Sequence, residues 1–204
     1  MTTTPPRPFI AAMQVTLDGY SLGPDGTADW VDSWADGLAL LPPVDAFVLG
    51  GGMFPDYEVF WAAIREDPVT ASQWLGRAPY PREIEYARTA AETPHLVLST
   101  TLENATWPTA RIVRDLDQLW ALKAPTGGAV YVVGGAGLVR SLIDEGLLDE
   151  LRLIVHPVAV GAGAALFGGI ARRADLELVD SEPTAAGRLR LTYRVTTSVL
   201  RHAQ

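Results

Sequence analysis

The segment AVYVVGGAGLVRSLIDEG, residues 129–146, constrains the fold of this chain more than any other. It begins with β-branched and aromatic residues typical of a buried strand, passes through Gly134 and Gly135, and continues with apolar residues at helical spacing. Ligands in α/β sheets lie beyond the carboxyl ends of such strands, where glycine allows close approach and helix N–H groups attract anions. The segment therefore indicates a phosphate site. Tight turns with close helix–strand packing are the alternative, because the spacing is not G-x-G-x-x-G.

Strand and helix patterns alternate along most of the remaining chain. Strands are predicted at 9–17, 44–49, 95–100, 110–113, 129–135 and 149–160, followed by a closing pair at 175–183 and 187–196. Helices are predicted at 28–41, 58–66, 82–91, 114–125 and 136–145, and a Gly/Pro/Asp-rich loop at 18–27. This order predicts an α/β fold whose sheet is mostly parallel, with antiparallel edge strands at the C-terminal end. Residues 1–8 are expected to form a flexible tail and residues 9–204 a single domain.

Composition narrows the possible partners. A net charge of −8 disfavours nucleic acid, and the lack of cysteine excludes disulfides and thiolate metal sites. We expect a cytoplasmic protein, because there is no signal-peptide pattern and no apolar run long enough to cross a membrane. His95, His156 and His202 do not show metal-binding spacing, so no metal is expected.

A second glycine cluster, Gly50–Gly52, ends another predicted strand. Two glycine clusters at two strand ends fit one elongated ligand with a pyrophosphate, such as a dinucleotide. Asp56 and Tyr57 follow this cluster and are candidates for facing a substrate, with a solvated loop as the alternative. Trp30 and Trp34 are four residues apart, a spacing that favours a role in the core. Alternatively, one of them faces the substrate pocket, and Trp30 is the candidate for that position.

Five motifs carry a resemblance to a known family: TLDG at 16–19, DAFVLGGGMF at 45–54, LVLSTTLENATW at 96–107, the segment 130–167, and the closing GRLRLTYRV. Together they resemble the dihydrofolate reductase-like superfamily, and the chain is most similar to stand-alone proteins related to the C-terminal reductase domain of the bifunctional riboflavin-biosynthesis enzyme. The resemblance implies a three-layer dihydrofolate reductase-like fold, a nicotinamide cofactor and a homodimer. Apolar residues in 152–167 and in the last two strands also favour a homodimer.

The resemblance also implies roles for individual residues. Three groups would hold the cofactor: Gly134, Gly135, Ala136, Gly137 and Leu138 at its phosphates, preceded by Val133; Gly50, Gly51, Gly52 and Met53 from the neighbouring strand; and Ser99, Thr100 and Thr101 at the adenosine end. The loop 18–27 would resemble a mobile loop over the nicotinamide, with Leu22 near the ring and Asp18 as a polar group near the transfer site. The Gly134–Gly135 peptide bond would be cis.

Departures from the family pattern weaken some of these implications. The arginines that bind the 2′-phosphate of NADPH in the family are replaced here by Gly51 and Thr100. Arg111 and Arg114 are the nearest substitutes, so NADPH is the expected cofactor with NADH also possible, and the preference between them is expected to be weak. Val133 stands where the riboflavin enzyme has an acidic residue, which disfavours the riboflavin intermediate as substrate.

We therefore predict a pyridine-nucleotide-dependent reductase that transfers a hydride to a small conjugated substrate of pterin, pyrimidine or flavin-precursor type. The alternative is a non-catalytic nucleotide-binding or scaffold protein that retains the fold. The missing arginines favour this alternative modestly.

Overall fold

An eight-stranded sheet forms the centre of the computed structural model, which describes residues 6–123 and 127–196. The strands are β1 (Phe9–Thr16), β2 (Tyr20–Leu22), β3 (Val44–Gly50), β4 (His95–Leu98), β5 (Ala110–Val113), β6 (Ala129–Gly134), β7 (Glu150–His156), β8 (Ala164–Ala165), β9 (Asp175–Pro183) and β10 (Leu189–Thr196). The α-helices are α1 (Phe54–Glu66), α2 (Pro68–Leu75), α3 (Pro81–Glu92), α4 (Asp117–Trp120) and α5 (Ala136–Asp144).

The strand order is β5-β4-β3-β6-β1-β7-β10-β9, and a separate two-stranded sheet pairs β2 with β8. The first six strands of the large sheet run parallel, while β10 is antiparallel to both β7 and β9. The predicted parallel sheet with antiparallel C-terminal edge strands is thus confirmed.

The two faces of the sheet bury separate apolar clusters. Ala11 and Met13 of β1 pack with α5 on one side, whereas Ala12 packs with α1 and α3 on the other. Successive strand residues point to opposite faces, so a central strand with helices on both sides is buried along its whole length, as β1 is. The result is the three-layer arrangement that the resemblance implies.

The glycines that follow Val133 adopt an unusual backbone. The Gly134–Gly135 peptide bond is cis, as the resemblance implies. Gly134 has a φ of 129°, which residues with a Cβ rarely adopt. The chain then enters α5 directly at Ala136.

The predicted helix at 28–41 is wrong. This segment contains only two short 3-10 helices, Trp34–Asp36 and Leu38–Leu40, after a series of turns. The Ser33 hydroxyl accepts a hydrogen bond from the N–H of Ala35, and such local bonds compete with a continuous helix. The segment lies over the sheet as an irregular layer.

Several other boundaries also differ from the prediction. The loop 18–27 contains β2, whose partner β8 is more than 140 residues away in the sequence and could not be inferred from local pattern. Helix α1 begins at Phe54 rather than 58, α2 was not predicted, and β7 ends at His156 rather than 160. The predicted helix at 114–125 is reduced to α4 and a 3-10 turn at Ala121–Lys123; residues 124 and 125 lie outside the described residues.

At the N-terminal end, the predicted tail 1–8 lies mostly outside the described residues, but the carbonyl of Pro8 accepts the N–H of Val130. No helix in the described part of the chain is long and apolar enough to cross a membrane.

Candidate functional site

A cavity of about 700 Å³ opens at the carboxyl ends of β1 and β6. Ala12, Met13 and Gln14 of β1 and Tyr131 and Val133 of β6 form its floor. The cavity has a glycine-lined end at the N-terminus of α5 and an aromatic end between α1 and the 3-10 segment. The two-stranded sheet contributes Leu22, Ala164 and Ala165 to its cover.

The glycine-lined end is formed by Gly135, Ala136 and Gly137, together with Met53 from the loop after β3. Gly135 is the N-cap of α5, and no side chain of the described residues accepts the N–H groups of the first turn, which lie beside the cavity. A Cβ at Gly135 would meet nothing within 4 Å. This end offers backbone donors and the positive end of the helix dipole to an anion.

Arg140 adds a cation to this end of the cavity. Its Nη1 donates to the carbonyl of Ala165 at 2.9 Å, which joins α5 to β8. Its Nη2 lies 3.8 Å from the position that a Cβ on Gly137 would occupy. The sequence alone did not single out Arg140, because an arginine in the middle of an amphipathic helix gives no signal of a site.

The predicted adenosine-end residues lie outside the cavity lining. Gly51 packs against Ser99, so closely that a Cβ on Gly51 would lie 2.3 Å from the Ser99 Cβ. Arg114 donates from Nη1 to the carbonyls of Ser99 and Leu102, both at 2.8 Å. The Ser99 hydroxyl accepts the N–H groups of Thr101 and Leu102. This loop therefore presents an exposed guanidinium where the resemblance places the adenosine end.

The remaining predicted cofactor residues are also placed outside the lining. Gly50, Gly52, Thr100, Gly134 and Leu138 are in this group. Gly50 and Leu138 lie side by side, with 3.9 Å between the Leu138 Cβ and a Cβ built on Gly50, so the strand end after β3 abuts α5. Gly52 and Thr100 are exposed beside this contact.

Aromatic side chains line the other end of the cavity: Trp34, Tyr57, Phe60, Trp61, Tyr86 and Tyr131. Trp61 stacks on Tyr86 with ring centroids 4.1 Å apart, and Tyr57 contacts both rings edge-on. Such a wall suits a flat conjugated ring. Tyr57 was predicted to face the substrate, and it does line the cavity, although it lies on the first turn of α1 instead of in a loop.

Behind this wall lies a buried hydrogen-bonded group. The Tyr57 hydroxyl is 3.2 Å from Nε2 of His95 and 3.1 Å from the Tyr86 hydroxyl. Nδ1 of His95 is 2.8 Å from the carbonyl of Thr93, which can only accept, so Nδ1 carries the proton and Nε2 accepts from Tyr57. Burial lowers the pKa of His95 to about 4 and raises the pKa of both tyrosines, so the group is neutral.

Gln14 forms the polar part of the floor, and both ends of its amide make a hydrogen bond. Its Nε2 donates to the carbonyl of Ser33 at 2.7 Å, and its Oε1 accepts from Nε2 of His156 at 2.9 Å. Burial, and then the nearby Arg188, lower the pKa of His156, which keeps the imidazole neutral. These bonds hold β1, β7 and the segment before the first 3-10 helix together.

Asp18 is not among the residues that line the cavity. Its carboxylate accepts hydrogen bonds from the Thr16 hydroxyl at 2.6 Å and from the N–H of Gly161 at 2.7 Å, with a longer bond from Val160. These bonds, that from Thr16 first, lower the pKa of this exposed carboxyl. Asp18 therefore joins the loop after β1 to the loop after β7.

Of the three other predicted substrate residues, two line the cavity. Leu22 and Asp56 do so, whereas Trp30 packs beside Gly23 and Trp34 occupies the aromatic end. Trp34 lines the cavity and Trp30 does not; the segment is not a continuous helix, so spacing by four does not define a face there.

In the described residues, no group of three or more His, Cys, Asp or Glu side chains is placed to hold a metal ion.

The strand order and the cavity at the carboxyl ends of β1 and β6 define a protein of the dihydrofolate reductase-like fold. Residues 8–189 match the family model of the RibD C-terminal domain, and the chain belongs to that family.

Three relatives show how far the similarity extends. The uncharacterized protein YyaP of Bacillus subtilis (strain 168) is 28% identical over 191 residues, which cover 92% of this chain and 94% of YyaP. A solved structure from Shewanella sp. PV-4, assigned to riboflavin biosynthesis, shares 20% identity with a TM-score of 0.64 and covers 93% of this chain and 99% of its own. Dihydrofolate reductase from Enterococcus faecalis, complexed with NADP(H), shares 14% identity with a TM-score of 0.58 and covers 93% and 97%. At these identities, the structural likenesses establish the fold.

Proposed function

We propose that the protein is a nicotinamide-dependent reductase acting on a small, flat, conjugated substrate. The observation that carries this proposal is the joining of two dissimilar ends in one cavity. Backbone donors and Arg140 lie at one end, and six aromatic rings lie at the other. A dinucleotide phosphate suits the first end and a conjugated ring suits the second, with the site of transfer between them.

The residues present fit a nicotinamide dinucleotide. Gly135, Ala136 and Gly137 would hold its pyrophosphate at the uncapped end of α5, and Arg140 would supply the counter-charge. Arg114 would meet the adenosine end beside Ser99 and Thr101. Among the described residues, Arg114 is the one arginine bonded to this loop, and its Nη1 is already bonded twice, so we propose NADPH as the cofactor with a weak preference over NADH.

When bound, the reduced nicotinamide supplies a hydride. The chain's own residues position the reactants and limit access of water. Asp18 would hold the covering loop against residues 160 and 161, keeping Leu22 over the cavity. Trp34, Phe60 and Trp61 would orient the substrate ring by stacking, and Asp56 lies at the rim of the same wall.

Titration with NADPH and with NADH, followed by tryptophan emission, tests the proposal directly, because Trp34 and Trp61 line the cavity. We expect both nucleotides to change the emission, and we expect Arg140→Gln to weaken binding by about tenfold or more through loss of a charge-assisted bond. Arg88→Gln is the matched control, since it removes an exposed charge away from the cavity and should leave binding unchanged. If neither nucleotide binds at millimolar concentration, the reductase proposal fails and the non-catalytic alternative stands.

A further inference from the structure

Tyr131 has a hydroxyl that makes no hydrogen bond within residues 6–123 and 127–196. The side chain is 2% exposed and lines the aromatic end of the cavity. The neighbouring hydroxyls of Tyr57 and Tyr86 bond to each other, and Tyr57 also reaches His95. A hydroxyl that lines a cavity and has no partner inside the protein is a donor available to a bound ligand.

The space around this hydroxyl depends on Gly37. A Cβ at Gly37 would lie 2.8 Å from the Tyr131 oxygen, closer than real Cβ contacts. Gly37 has φ of −62° and ψ of −43°, which any residue adopts, so its backbone does not require glycine. The glycine is needed for the room that it leaves beside the Tyr131 hydroxyl.

The other hydroxyl and amide side chains along this part of the cavity already make hydrogen bonds within the protein. Gln14 bonds to Ser33 and His156, Ser21 donates to the carbonyl of Ala164, and Tyr57 is satisfied by its buried partners. Among the hydroxyl and amide side chains that the described residues place on this wall, Tyr131 is thus the one without a hydrogen bond inside the protein.

The charges of the lining restrict the ligand further. Among the described residues, the lining contains two charged side chains, Asp56 and Arg140. Arg140 lies at the glycine-lined end, beside Gly137. The aromatic end therefore has no cation to receive a phosphate or carboxylate on a substrate, and leaving such a group unpaired there would be unfavourable. Burial also raises the pKa of Tyr131, which keeps the phenol protonated.

We propose that Tyr131 determines substrate specificity by donating a hydrogen bond to a carbonyl oxygen or ring nitrogen of a flat, uncharged, phosphate-free conjugated compound stacked at the aromatic end. The redox fate of that compound rests on the proposed function, whereas its binding does not.

The test uses the full chain and a matched pair of probes: lumiflavin, a neutral flat ring with carbonyl acceptors, and riboflavin 5′-phosphate, the same ring with a phosphate. Quenching of flavin emission reports stacking on the aromatic wall. With inorganic pyrophosphate added to occupy the glycine-lined end, we expect lumiflavin to bind more tightly than riboflavin 5′-phosphate. We expect Tyr131→Phe to weaken lumiflavin binding about three- to tenfold, the range for one neutral hydrogen bond.

Tyr57→Phe is the matched control, because it deletes the same hydroxyl from a neighbouring ring whose bond is internal. Tyr131→Phe should melt at or above the wild-type temperature, since no internal bond is lost, whereas Tyr57→Phe should melt lower because Nε2 of His95 loses its donor. Gly37→Ala gives a second route: it should crowd the hydroxyl and weaken lumiflavin binding, and the added Tyr131→Phe change should relieve the crowding.

The proposal is overturned if lumiflavin does not bind the wild type, if riboflavin 5′-phosphate binds more tightly, or if Tyr131→Phe leaves lumiflavin binding unchanged. A marked fall in melting temperature for Tyr131→Phe would also overturn it, because it would reveal an internal partner. These titrations contain no nicotinamide nucleotide. If NADPH and NADH fail to bind, the proposed reductase function is refuted, but the flavin titrations still decide the role of Tyr131.

Discussion

The contact between Gly51 and Ser99 makes Gly51→Ala a demanding test of how the ends of β3 and β4 meet. An added Cβ would lie 2.3 Å from the Ser99 Cβ and 2.4 Å from its Oγ. The Ser99 Cβ is fixed to the backbone, so no rotamer change removes the overlap and the loop after β4 must move by more than an ångström. Overpacking of this kind costs about 1–3 kcal/mol. The Ser99–Leu102 loop carries the carbonyls that hold Arg114, so NADPH binding should weaken as well.

Urea unfolding gives the stability change, and fluorescence titration gives the affinity. Gly52→Ala is the control next in sequence, because nothing lies within 4 Å of a Cβ built there, and its stability should stay within about 0.5 kcal/mol of wild type. Ser99→Gly removes the Cβ with which the new methyl group would overlap. It also removes the Ser99 hydroxyl, which accepts two N–H groups. In a double-mutant cycle, Gly51→Ala should therefore cost far less in the Ser99→Gly background than in wild type.

Equal stability of Gly51→Ala and Gly52→Ala would refute this reasoning, since it would mean that the two strand ends are not in contact. Additive effects of Gly51→Ala and Ser99→Gly would refute it too, because independent sites do not relieve each other. If stability falls but NADPH affinity is unchanged, the Ser99–Leu102 loop is not part of the cofactor site.

Other expected outcomes follow from single side chains. The pKa of His95 is lowered from 6.5 to about 4, so the unfolded chain binds more protons than the folded chain between those pH values. As the pH falls through this window, the wild type should therefore lose up to about 3 kcal/mol of its free energy of unfolding. Urea unfolding should show a smaller loss for His95→Asn over the same window. Arg114→Ala should lower NADPH affinity several-fold and leave NADH affinity unchanged, whereas Arg111→Ala should change neither; equal loss for both nucleotides would place the 2′-phosphate elsewhere. Leu178 and Val179 are about half exposed on the edge strand β9, so we expect a homodimer that Leu178→Asp weakens; a monomer of 21.9 kDa in light scattering would contradict this.

Sequence reasoning succeeded where the signal is local. The run from Ala129 to Asp144 carries its own strand pattern, glycines and helix spacing, and the structure forms β6 and α5 there with the glycine end opening into the cavity. Met53, Leu22, Asp56 and Tyr57 were also predicted at the site and line it. Each follows a strand end or a glycine cluster, so its place in the chain predicts its place at the sheet edge.

The remaining parts of the site depend on residues that are distant in sequence. Gln14 meets His156 across 142 positions, Tyr57 meets His95 across 38, and β2 pairs with β8. In the sequence, Tyr131 has the pattern of any aromatic residue in a buried strand, and nothing marks its hydroxyl as special. Its hydroxyl becomes a free donor only because Gly37, from an irregular segment that was predicted as a helix, leaves room beside it. Periodicity and glycine placement thus determined the sheet, its helices and the glycine-lined end of the cavity, because they act between neighbours in the chain. Only the tertiary structure decided which polar atoms are hydrogen-bonded inside the protein and which hydroxyl faces the cavity unpaired, because hydrogen bonding inside a core depends on which distant strands come to lie side by side.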